Sequence, residues 1–409
     1  MSKMPNRAKP PNPFQPAPGA DPPLLVGRSS EEASIQDACA RVARGSAPTP
    51  LAFLGLRGLG KTVLLNEIRA RTGDGVHLQV EVETGVSLAV SMRQAVTSLQ
   101  GAVDPLPKRL GKALLETLRS IPMPSFELPH DLGAVTLEAP PMPESAGDLP
   151  LGQALQILND AVFAANTYLV VTVDEVHDAD VAGLRSLVAR VHQSAGSRAP
   201  ILFACAGLPE TANTLRELRT YVKRWDRFEL DFLTRAETAA AIRIPIERAG
   251  RSIADAALEA VVVEAAGYPA FIQRYASAVW NEHEGESITV EDVSRTIPAV
   301  RSTLEKLFYQ EDFAGLSARE RLFCKVLADL GPGGHNLRAV SGALGVASAA
   351  ISSIRTNLIR KGVVFSPSSG TVAFRLPLAD RYVRKNEAFF FDAGVQQYMR
   401  DLAARSRDA

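Results

Sequence analysis

The sequence predicts an α/β fold, with a parallel sheet built around a glycine-rich loop and helical segments after it. Three observations lead to this prediction. The apolar run Leu51–Leu54 leads through glycines into a helix-period segment. A second apolar run, 168–173, ends in the acidic pair Asp174 and Glu175. From residue 234 onward, apolar residues recur with helical spacing.

Length and composition limit the class of protein. The 409 residues, 46% of them hydrophobic, are enough for two or three domains with ordinary cores. Basic and acidic residues number 45 each, so the charge of the whole chain indicates no particular partner. Cys39, Cys205 and Cys324 lie far apart, which argues against disulfides. Without a membrane-length apolar stretch or an apolar signal core, we expect a cytoplasmic protein.

The glycine-rich loop carries the clearest functional signal. Residues 55–62, GLRGLGKT, match the phosphate-binding pattern G-x-x-x-x-G-K-[ST] without a mismatch. The glycines allow backbone N–H groups to turn toward an anion, and the helix that follows adds its positive dipole end. Lys61 is expected to reach the outer phosphates and Thr62 to hold Mg²⁺. A simple helix cap would explain neither the Lys-Thr pair nor its spacing.

The acidic pair supplies the second part of a nucleotide hydrolase. Asp174 is expected to hold Mg²⁺ through its water shell, and Glu175 to orient and deprotonate the attacking water. His177, Asp178 and Asp180 follow directly. Their spacing matches no zinc pattern, so we interpret them as a solvated loop.

The chain divides into five predicted segments. The first 23 residues contain eight prolines and almost no aliphatic residues, which predicts a disordered arm. Residues 76–82 alternate apolar and polar and predict a strand near a sheet edge. A proline-rich insertion, with a possible helix at 108–119 and hairpin at 126–137, interrupts the core. The segments are the arm 1–23, the ATPase core 24–232 with its insertion at about 104–150, a helical lid 233–300, a domain at 301–385 and a C-terminal helix 386–409.

The domain at 301–385 has the element order of a winged helix: helix, helix-turn-helix, hairpin. Between residues 317 and 385 there are eleven basic and three acidic side chains, which indicates nucleic-acid binding. The predicted DNA contacts are Arg355 and Arg360 on the helix 348–361, with Lys361 and Arg375 on phosphates. Arg375 is expected in the wing. Winged helices also serve as protein-interaction or packing modules, and that alternative stays open.

With these parts in order, the chain resembles the AAA+ ATPases of the initiator type, which are the origin-recognition proteins and the archaeal-type predicted ATPases of bacteria. The resemblance runs from about residue 25 to 384. It rests on VGR at 26–28, GLRGLGKT at 55–62, VTVDE at 171–175 and DRFEL at 226–230. It implies a P-loop parallel-sheet AAA+ core with an α-helical lid and a C-terminal winged-helix domain, and ATP and Mg²⁺ as cofactors.

The resemblance also implies site residues. Arg227, with Arg224 as an alternate, would act on the nucleotide of a neighbouring subunit, which implies a homo-oligomer. The catalytic set is then Glu175, Lys61 and Arg227. The implied nucleotide contacts are Gly27, Arg28, Gly55, Arg57, Gly58, Leu59, Gly60, Lys61, Thr62, Val63, Asp174 and Pro269.

Two departures from the initiator pattern keep other functions open. Residues 205–209, where related ATPases place a polar phosphate sensor, contain no Asn, Thr or Arg. Gly267-Tyr268-Pro269 resembles the Gly-x-Pro of the STAND signalling ATPases, in which the proline touches the adenine. The expected function is an ATPase whose nucleotide state controls DNA binding. The alternatives are a STAND-like signalling switch and an ATPase helper of a transposition or defence system.

Overall fold

The computed structural model describes residues 10–102 and 151–407. Contacts divide the chain into two compact units, Ala17–Phe232 and the remainder, and each is described by itself. The predicted helix at 108–119 and hairpin at 126–137 lie outside the described residues.

Five parallel strands form the centre of the first unit. In chain order they are β1 (Leu51–Leu54), β2 (Val76–Glu81), β3 (Leu169–Asp174), β4 (Ile201–Gly207) and β5 (Asp226–Glu229). Their order in the sheet is β2-β3-β4-β1-β5, and every neighbouring pair is parallel. The predicted α/β fold with a parallel sheet is confirmed.

Helices surround this sheet. In the described part of the unit they are α1 (Ser29–Ala43), α2 (Lys61–Arg71), α3 (Leu88–Ala102), α4 (Leu151–Ala164), α5 (Val181–Ser194), α6 (Thr211–Glu217) and α7 (Arg219–Val222). A 3-10 turn, Val176–Asp178, follows β3. Every residue of β1, β3 and β4 is buried. Parallel strands need helices on both faces, and this is why they read as unbroken apolar runs in the sequence.

The second unit contains the helices α8 (Arg235–Arg248), α9 (Asp255–Ala265), α10 (Pro269–Glu282) and α11 (Val290–Leu304). Capping boxes at Thr234 and Thr289 fix the starts of α8 and α11. Two short strands, β6 (Ser252–Ile253) and β7 (Ser287–Ile288), pair in parallel. These elements occupy the predicted lid.

A small α and β region follows the lid in the same unit. Its helices are α12 (Glu311–Ala314), α13 (Ala318–Asp329), α14 (Leu337–Ala343), α15 (Ser348–Arg360), α16 (Ala379–Lys385), α17 (Glu387–Phe390) and α18 (Ala393–Arg407). Its strands are β8 (His335–Asn336), β9 (Val364–Phe365) and β10 (Thr371–Phe374), which form an antiparallel sheet in the order β8-β10-β9. Ile351, Ile354 and Leu358 form the buried face of α15.

Aromatic side chains join the lid to this C-terminal region. A π-helix, Glu305–Gln310, follows α11 and carries Tyr309. The Tyr309 ring stacks on Tyr382 of α16 at 4.9 Å and meets Phe271 of α10 edge-on at 6.5 Å. Its hydroxyl donates to the carbonyl of Pro377 at 2.5 Å. Because Tyr309 contacts both parts, the predicted lid and C-terminal domain are packed together rather than linked by a free segment.

The second half of the proline-rich arm is ordered, whereas the sequence predicts disorder over residues 1–23. Asn12 Nδ2 donates to the carbonyl and hydroxyl oxygens of Ser277 and to Asn281, all within 3.1 Å. Phe14 is buried. The prediction counted aliphatic residues only, but one aromatic ring and one well-bonded amide are enough to fix a proline-stiffened segment on a helix.

Within 10–102 and 151–407, no single helix is both long and apolar enough to cross a bilayer. One pair, α14 and α15, meets the length and composition test only when joined, across a bend of 111°.

Strand β2 is the edge strand that its alternating sequence predicts. Leu78 and Val80 are buried, whereas Gln79 and Glu81 are exposed. His77 is half-buried on the polar face, with Nε2 2.8 Å from the hydroxyl of Thr172. Burial first, and the nearby positive charge of Arg69 second, lower the pKa of His77 from 6.5 to about 4.

We therefore expect the free energy of unfolding to fall as the pH is lowered from 6.5 to about 4. In this window the unfolded chain binds a proton at His77 that the folded chain does not, which costs on the order of 1 kcal/mol per pH unit. His77→Gln keeps a polar partner for Thr172 and removes the titration. Urea unfolding at pH 7 and pH 5 should show a smaller loss for the variant than for the parent. Equal losses of unfolding free energy in the two proteins would contradict the lowered pKa of His77.

Candidate nucleotide-binding and hydrolysis site

The glycine-rich loop joins β1 to α2, as the sequence predicts. Gly58 and Gly60 have φ values of 76° and 89°, a region that favours glycine because side chains clash there. Gly55 packs closely: a Cβ at this position would lie 3.0 Å from the carbonyl oxygen of Leu230. The glycines are therefore needed for the turn itself and for its approach to the chain after β5.

Lys61 is the first residue of α2 and only 5% exposed. Its Nζ donates to the carbonyl oxygens of Gly55 and Leu56, both at 3.0 Å. The ammonium group is thus held against the glycine-rich loop, which is the predicted phosphate-binding loop. Around it, Arg57 is exposed, Leu59 is buried and Val63 is half-buried.

Thr62 and Asp174 meet, although they are 112 residues apart. The Thr62 hydroxyl donates to Asp174 Oδ2 at 2.7 Å. Asp174 ends β3 and is buried, and its Oδ1 accepts from the backbone N–H of Glu175 at 2.8 Å. The sheet order makes this contact possible because only β4 separates β3 from β1, and α2 lies across that strand.

Glu175 has a left-handed backbone, with φ at 50°. Its Oε2 is buried, and it lies 3.3 Å from Nδ1 of His177. The imidazole is only 14% exposed. The sequence interpretation of residues 177–180 as a solvated loop is therefore wrong for His177.

Arg28 braces the P-loop instead of facing open solvent. It is buried, and its Nη2 donates to the carbonyl oxygens of Leu59 at 3.3 Å and Asp231 at 2.8 Å. Gly27, with φ at 69°, provides the turn before it. The resemblance implied a nucleotide contact for Arg28 and gave no sign of this bracing role, because the partners are backbone carbonyls.

The N-terminal arm also reaches α2. Asn66 Nδ2 donates to the carbonyl of Gly19 and to Asp21 Oδ1, both at 3.1 Å. A Cβ at Gly19 would lie 3.7 Å from the Thr62 methyl group. Asn66 is one turn after Thr62, so the arm lies beside the residue predicted to hold Mg²⁺. No motif in the arm signals this contact.

Strand β4 ends without a polar sensor at residues 205–209, as its sequence indicates. Two residues beyond this range lies Thr211, the first residue of α6. Its side chain is fully buried, and within the described residues its hydroxyl has no hydrogen-bond partner. A Cβ at Gly207 would lie 2.5 Å from that hydroxyl. The sequence analysis did not consider Thr211, because it considered only residues 205–209 for a phosphate sensor.

Arg227 is the second residue of β5 and pairs in register with Ala52. Strand β5 lies at the edge of the sheet opposite β2, and Arg224 and Arg227 are both exposed. Pro269 belongs to the second unit, where it is the first residue of α10.

The residues predicted to contact DNA differ in their exposure and in their bonding partners. Arg360 is exposed near the end of α15, and Arg355 is half-buried. Lys361 bonds within the protein: its Nζ donates to the carbonyl of Gly315 and to buried Glu320, both at 2.8 Å. Although burial raises the pKa of Glu320, hydrogen bonds from Lys361 and Ser317 outweigh this and hold it below its usual value. The phosphate contact predicted for Lys361 is therefore replaced by a structural ion pair.

Arg375 lies at the base of the hairpin that the sequence predicts as the wing. It follows β10, and its backbone N–H donates to the carbonyl of Val363 at 3.0 Å. A Cβ at Gly362 would lie 3.5 Å from its Nη1. The side chain thus lies beside the end of α15.

Two family models match parts of the chain. Residues 24–203 match the AAA ATPase domain, and residues 306–383 match a domain of unknown function, DUF8462. A search of curated proteins gives no significant match.

Solved structures resemble the chain in fold. A Walker-type ATPase of Pyrococcus abyssi is 16% identical, with a TM-score of 0.55 over 91% of this chain and 99% of that one. The ORC2 protein of Aeropyrum pernix in its ADP form is 17% identical, with a TM-score of 0.50 over 93% and 96%. The RuvB Holliday junction branch migration motor of Thermotoga maritima is 17% identical, with a TM-score of 0.43 over 88% and 95%. At such identities the first two matches show the fold alone.

Replacing Lys61 tests the nucleotide site. We expect Lys61→Ala to weaken ATP binding about 100-fold or more, because the variant lacks the fixed charge beside the phosphates. Arg71→Ala is the matched control: it removes one positive charge from the far end of the same helix, where Arg71 pairs with Glu67 in solvent. Calorimetry showing equal ATP affinity for Lys61→Ala and the parent would refute the assignment.

Proposed function

The protein carries an AAA ATPase domain over residues 24–203 and is an ATP-binding ATPase, and we propose that its nucleotide state controls a C-terminal winged-helix DNA-binding domain. The observation that carries the catalytic part is the contact between Thr62 and Asp174 beside Glu175. We also propose that the protein acts in the cytoplasm.

Magnesium fits the pair formed by Thr62 and Asp174. A hydroxyl and a carboxylate are oxygen ligands of the kind that Mg²⁺ binds together with water and substrate phosphates. Both side chains already face one point, 2.7 Å apart. When bound, the ion would neutralise charge that develops on the phosphates. Lys61 would supply a second positive charge from the loop.

Glu175 is the proposed general base. It would accept a proton from water as the water oxygen bonds to the terminal phosphorus and the bond to the bridging oxygen breaks, which yields ADP and phosphate. Its position directly after Asp174 and its left-handed backbone support this role, because both fix the direction of the side chain.

Arg227 is the proposed residue that completes a neighbouring site. Its exposure on the outermost strand leaves the guanidinium accessible to a second copy of the chain. An arginine supplied by a partner subunit stabilises transition-state charge. The protein would then be a homo-oligomer when active.

The C-terminal elements support a winged helix. Helix α13, strand β8, helices α14 and α15 and the β9-β10 hairpin follow one another in the order of that fold. Ser352, Thr356 and Arg360 are exposed on α15, opposite its buried face. A short polar face of this kind suits the major groove. Since the Tyr309 cluster packs this domain on the lid, a nucleotide-driven movement of the lid would carry α15 with it.

One observation favours the alternative, in which the domain is a protein-interaction module of a STAND-like switch or of a transposition or defence helper. Several of the eleven basic side chains are engaged by carboxylates, three of which lie outside the range 317–385 that was counted. The pairs are Arg321 with Asp392, Lys325 with Asp329 and Glu387, Lys361 with Glu320, Arg384 with Asp380, and Lys385 with Glu305. The free positive charge is smaller than the sequence count.

Two variants together test the shared site. Glu175→Gln should bind ATP like the parent and hydrolyse it at least about 100-fold more slowly, because glutamine keeps the shape but cannot act as a base. Arg227→Ala should also lose hydrolysis while it keeps ATP affinity. Mixing the two proteins should restore part of the activity, since some interfaces then combine an intact Glu175 with an intact Arg227. Mixtures no more active than either protein alone would indicate a site completed within one chain.

DNA binding is tested on α15. We expect Arg360→Ala to weaken binding and to flatten the salt dependence of the binding constant by about one unit of logarithmic slope. Arg400→Ala, at an exposed position of α18, makes the same charge change elsewhere and should leave both quantities unchanged. If the full-length protein binds no DNA at low salt, or if both variants bind like the parent, the interaction-module alternative is favoured.

Lys361→Ala is expected to behave differently from Arg360→Ala. It would leave the buried carboxylate of Glu320 without its cation, and should lower the free energy of unfolding by about 1–3 kcal/mol. Thermal unfolding of the two variants separates a structural lysine from a DNA-contacting arginine.

A further inference from the structure

The carboxylate of Glu175 does not stand alone in the site. Its backbone adopts the left-handed conformation, which is unfavourable for a non-glycine residue. Two hydrogen bonds hold that turn: Asp174 Oδ1 accepts from the Glu175 N–H at 2.8 Å, and the Glu175 carbonyl accepts from the Asp178 N–H at 3.0 Å. A strained residue held in this way is a functional signal, because the surrounding structure must enforce it.

The turn brings Glu175 against His177. Glu175 Oε2 and His177 Nδ1 are both buried and lie 3.3 Å apart. This contact does not have the geometry of a hydrogen bond. Within the described residues, neither atom has a hydrogen-bond partner. The Glu175 side chain as a whole is 31% exposed. Since Oε2 is buried, that exposed area belongs to the other atoms of the side chain.

A carboxylate lies on the other side of His177. The imidazole Nε2 lies 3.7 Å from Asp178 Oδ2, and the same oxygen accepts from the Thr84 hydroxyl at 2.9 Å. Thr84 lies three residues beyond the end of β2. A row of polar groups therefore runs from the end of β2 through Asp178 and His177 to Glu175.

Neighbouring bonds keep this row in place. Asp180 caps α5 by accepting from the Gly183 N–H at 2.7 Å, and its other oxygen accepts from the Leu88 N–H at 2.8 Å. The loop after β2 and the loop after β3 are thus tied together at Asp178 and at Asp180, both just after His177. A solvated loop would leave the imidazole exposed, whereas this one is enclosed.

We infer that His177 is a positioning residue for ATP hydrolysis. Its imidazole lies against Oε2 of Glu175 and restricts that oxygen by contact, so that Oε1 is the oxygen that accepts the proton of the attacking water. Asp178, which Thr84 holds, lies beside the other side of the imidazole. The inference rests on the proposed role of Glu175 as general base, and it assigns His177 no contact with the nucleotide.

The test compares variants of the full-length protein. His177→Ala should lower kcat for ATP hydrolysis about tenfold, while KM and the affinity for a non-hydrolysable ATP analogue stay within about twofold, because only orientation of the base is lost. His177→Asn places an amide nitrogen near the position of Nδ1 and should restore most of the rate. His177→Gln places it near Nε2 and should not. Thr84→Val should give a smaller reduction than His177→Ala.

A double-mutant cycle shows whether His177 acts through Glu175. In the Glu175→Gln background, His177→Ala should cause no further loss, since the group that it positions is already gone. A tenfold further loss there would overturn the inference. Equal rates for His177→Asn and His177→Gln would also overturn it, provided that both unfold within a few degrees of the parent.

The two proposals fail in different ways. If Glu175→Gln hydrolyses ATP at the parent rate, the proposed base is wrong. If Glu175→Gln is inactive but His177→Ala is folded and hydrolyses ATP at the parent rate, only the role of His177 is wrong. Should His177→Ala not fold, the comparison of the Asn and Gln variants decides alone.

Discussion

The hydrogen bond between Thr62 and Asp174 is the point on which the ATPase site depends. It joins the first residues of α2 to the end of β3, two elements that more than one hundred residues separate in the chain. Both side chains can reach this point only because the strands are parallel and end at the same edge of the sheet. In such sheets, ligands bind outside the carboxyl ends of the strands. The catalytic proposals for Lys61, Glu175 and His177 all depend on that common edge.

Around this contact, the site is kept rigid mainly by bonds to backbone carbonyls. Lys61 holds the loop from within, and Arg28 holds Leu59 against the chain after β5. Side chains that donate to carbonyls fix a loop without removing its N–H groups, which stay available for an anion. This arrangement suits a phosphate site better than a loop stabilised by its own N–H groups.

The second unit places a different constraint on function. Tyr309 stacks on α16, contacts α10 and donates to Pro377, so it connects the lid with the C-terminal elements. Buried aromatic contacts of this kind resist independent movement, because separation would expose a large apolar area. Residues 10–16 belong to this unit and Ala17–Phe232 to the other, so the polypeptide passes between the units twice.

The sequence by itself determined the parts whose chemistry is local. The P-loop, the apolar strands with their acidic end and the buried face of α15 follow from spacing and periodicity, since neighbouring residues create them. Only the tertiary structure decided which distant groups meet. The enclosure of His177, the brace formed by Arg28, the pairing of Lys361 with Glu320 and the order of the arm from residue 10 all depend on residues far apart in the chain or on backbone oxygens. A pattern in one sequence carries no signal for such contacts, because any residue type presents the same carbonyl and the pairing is set by how the elements pack.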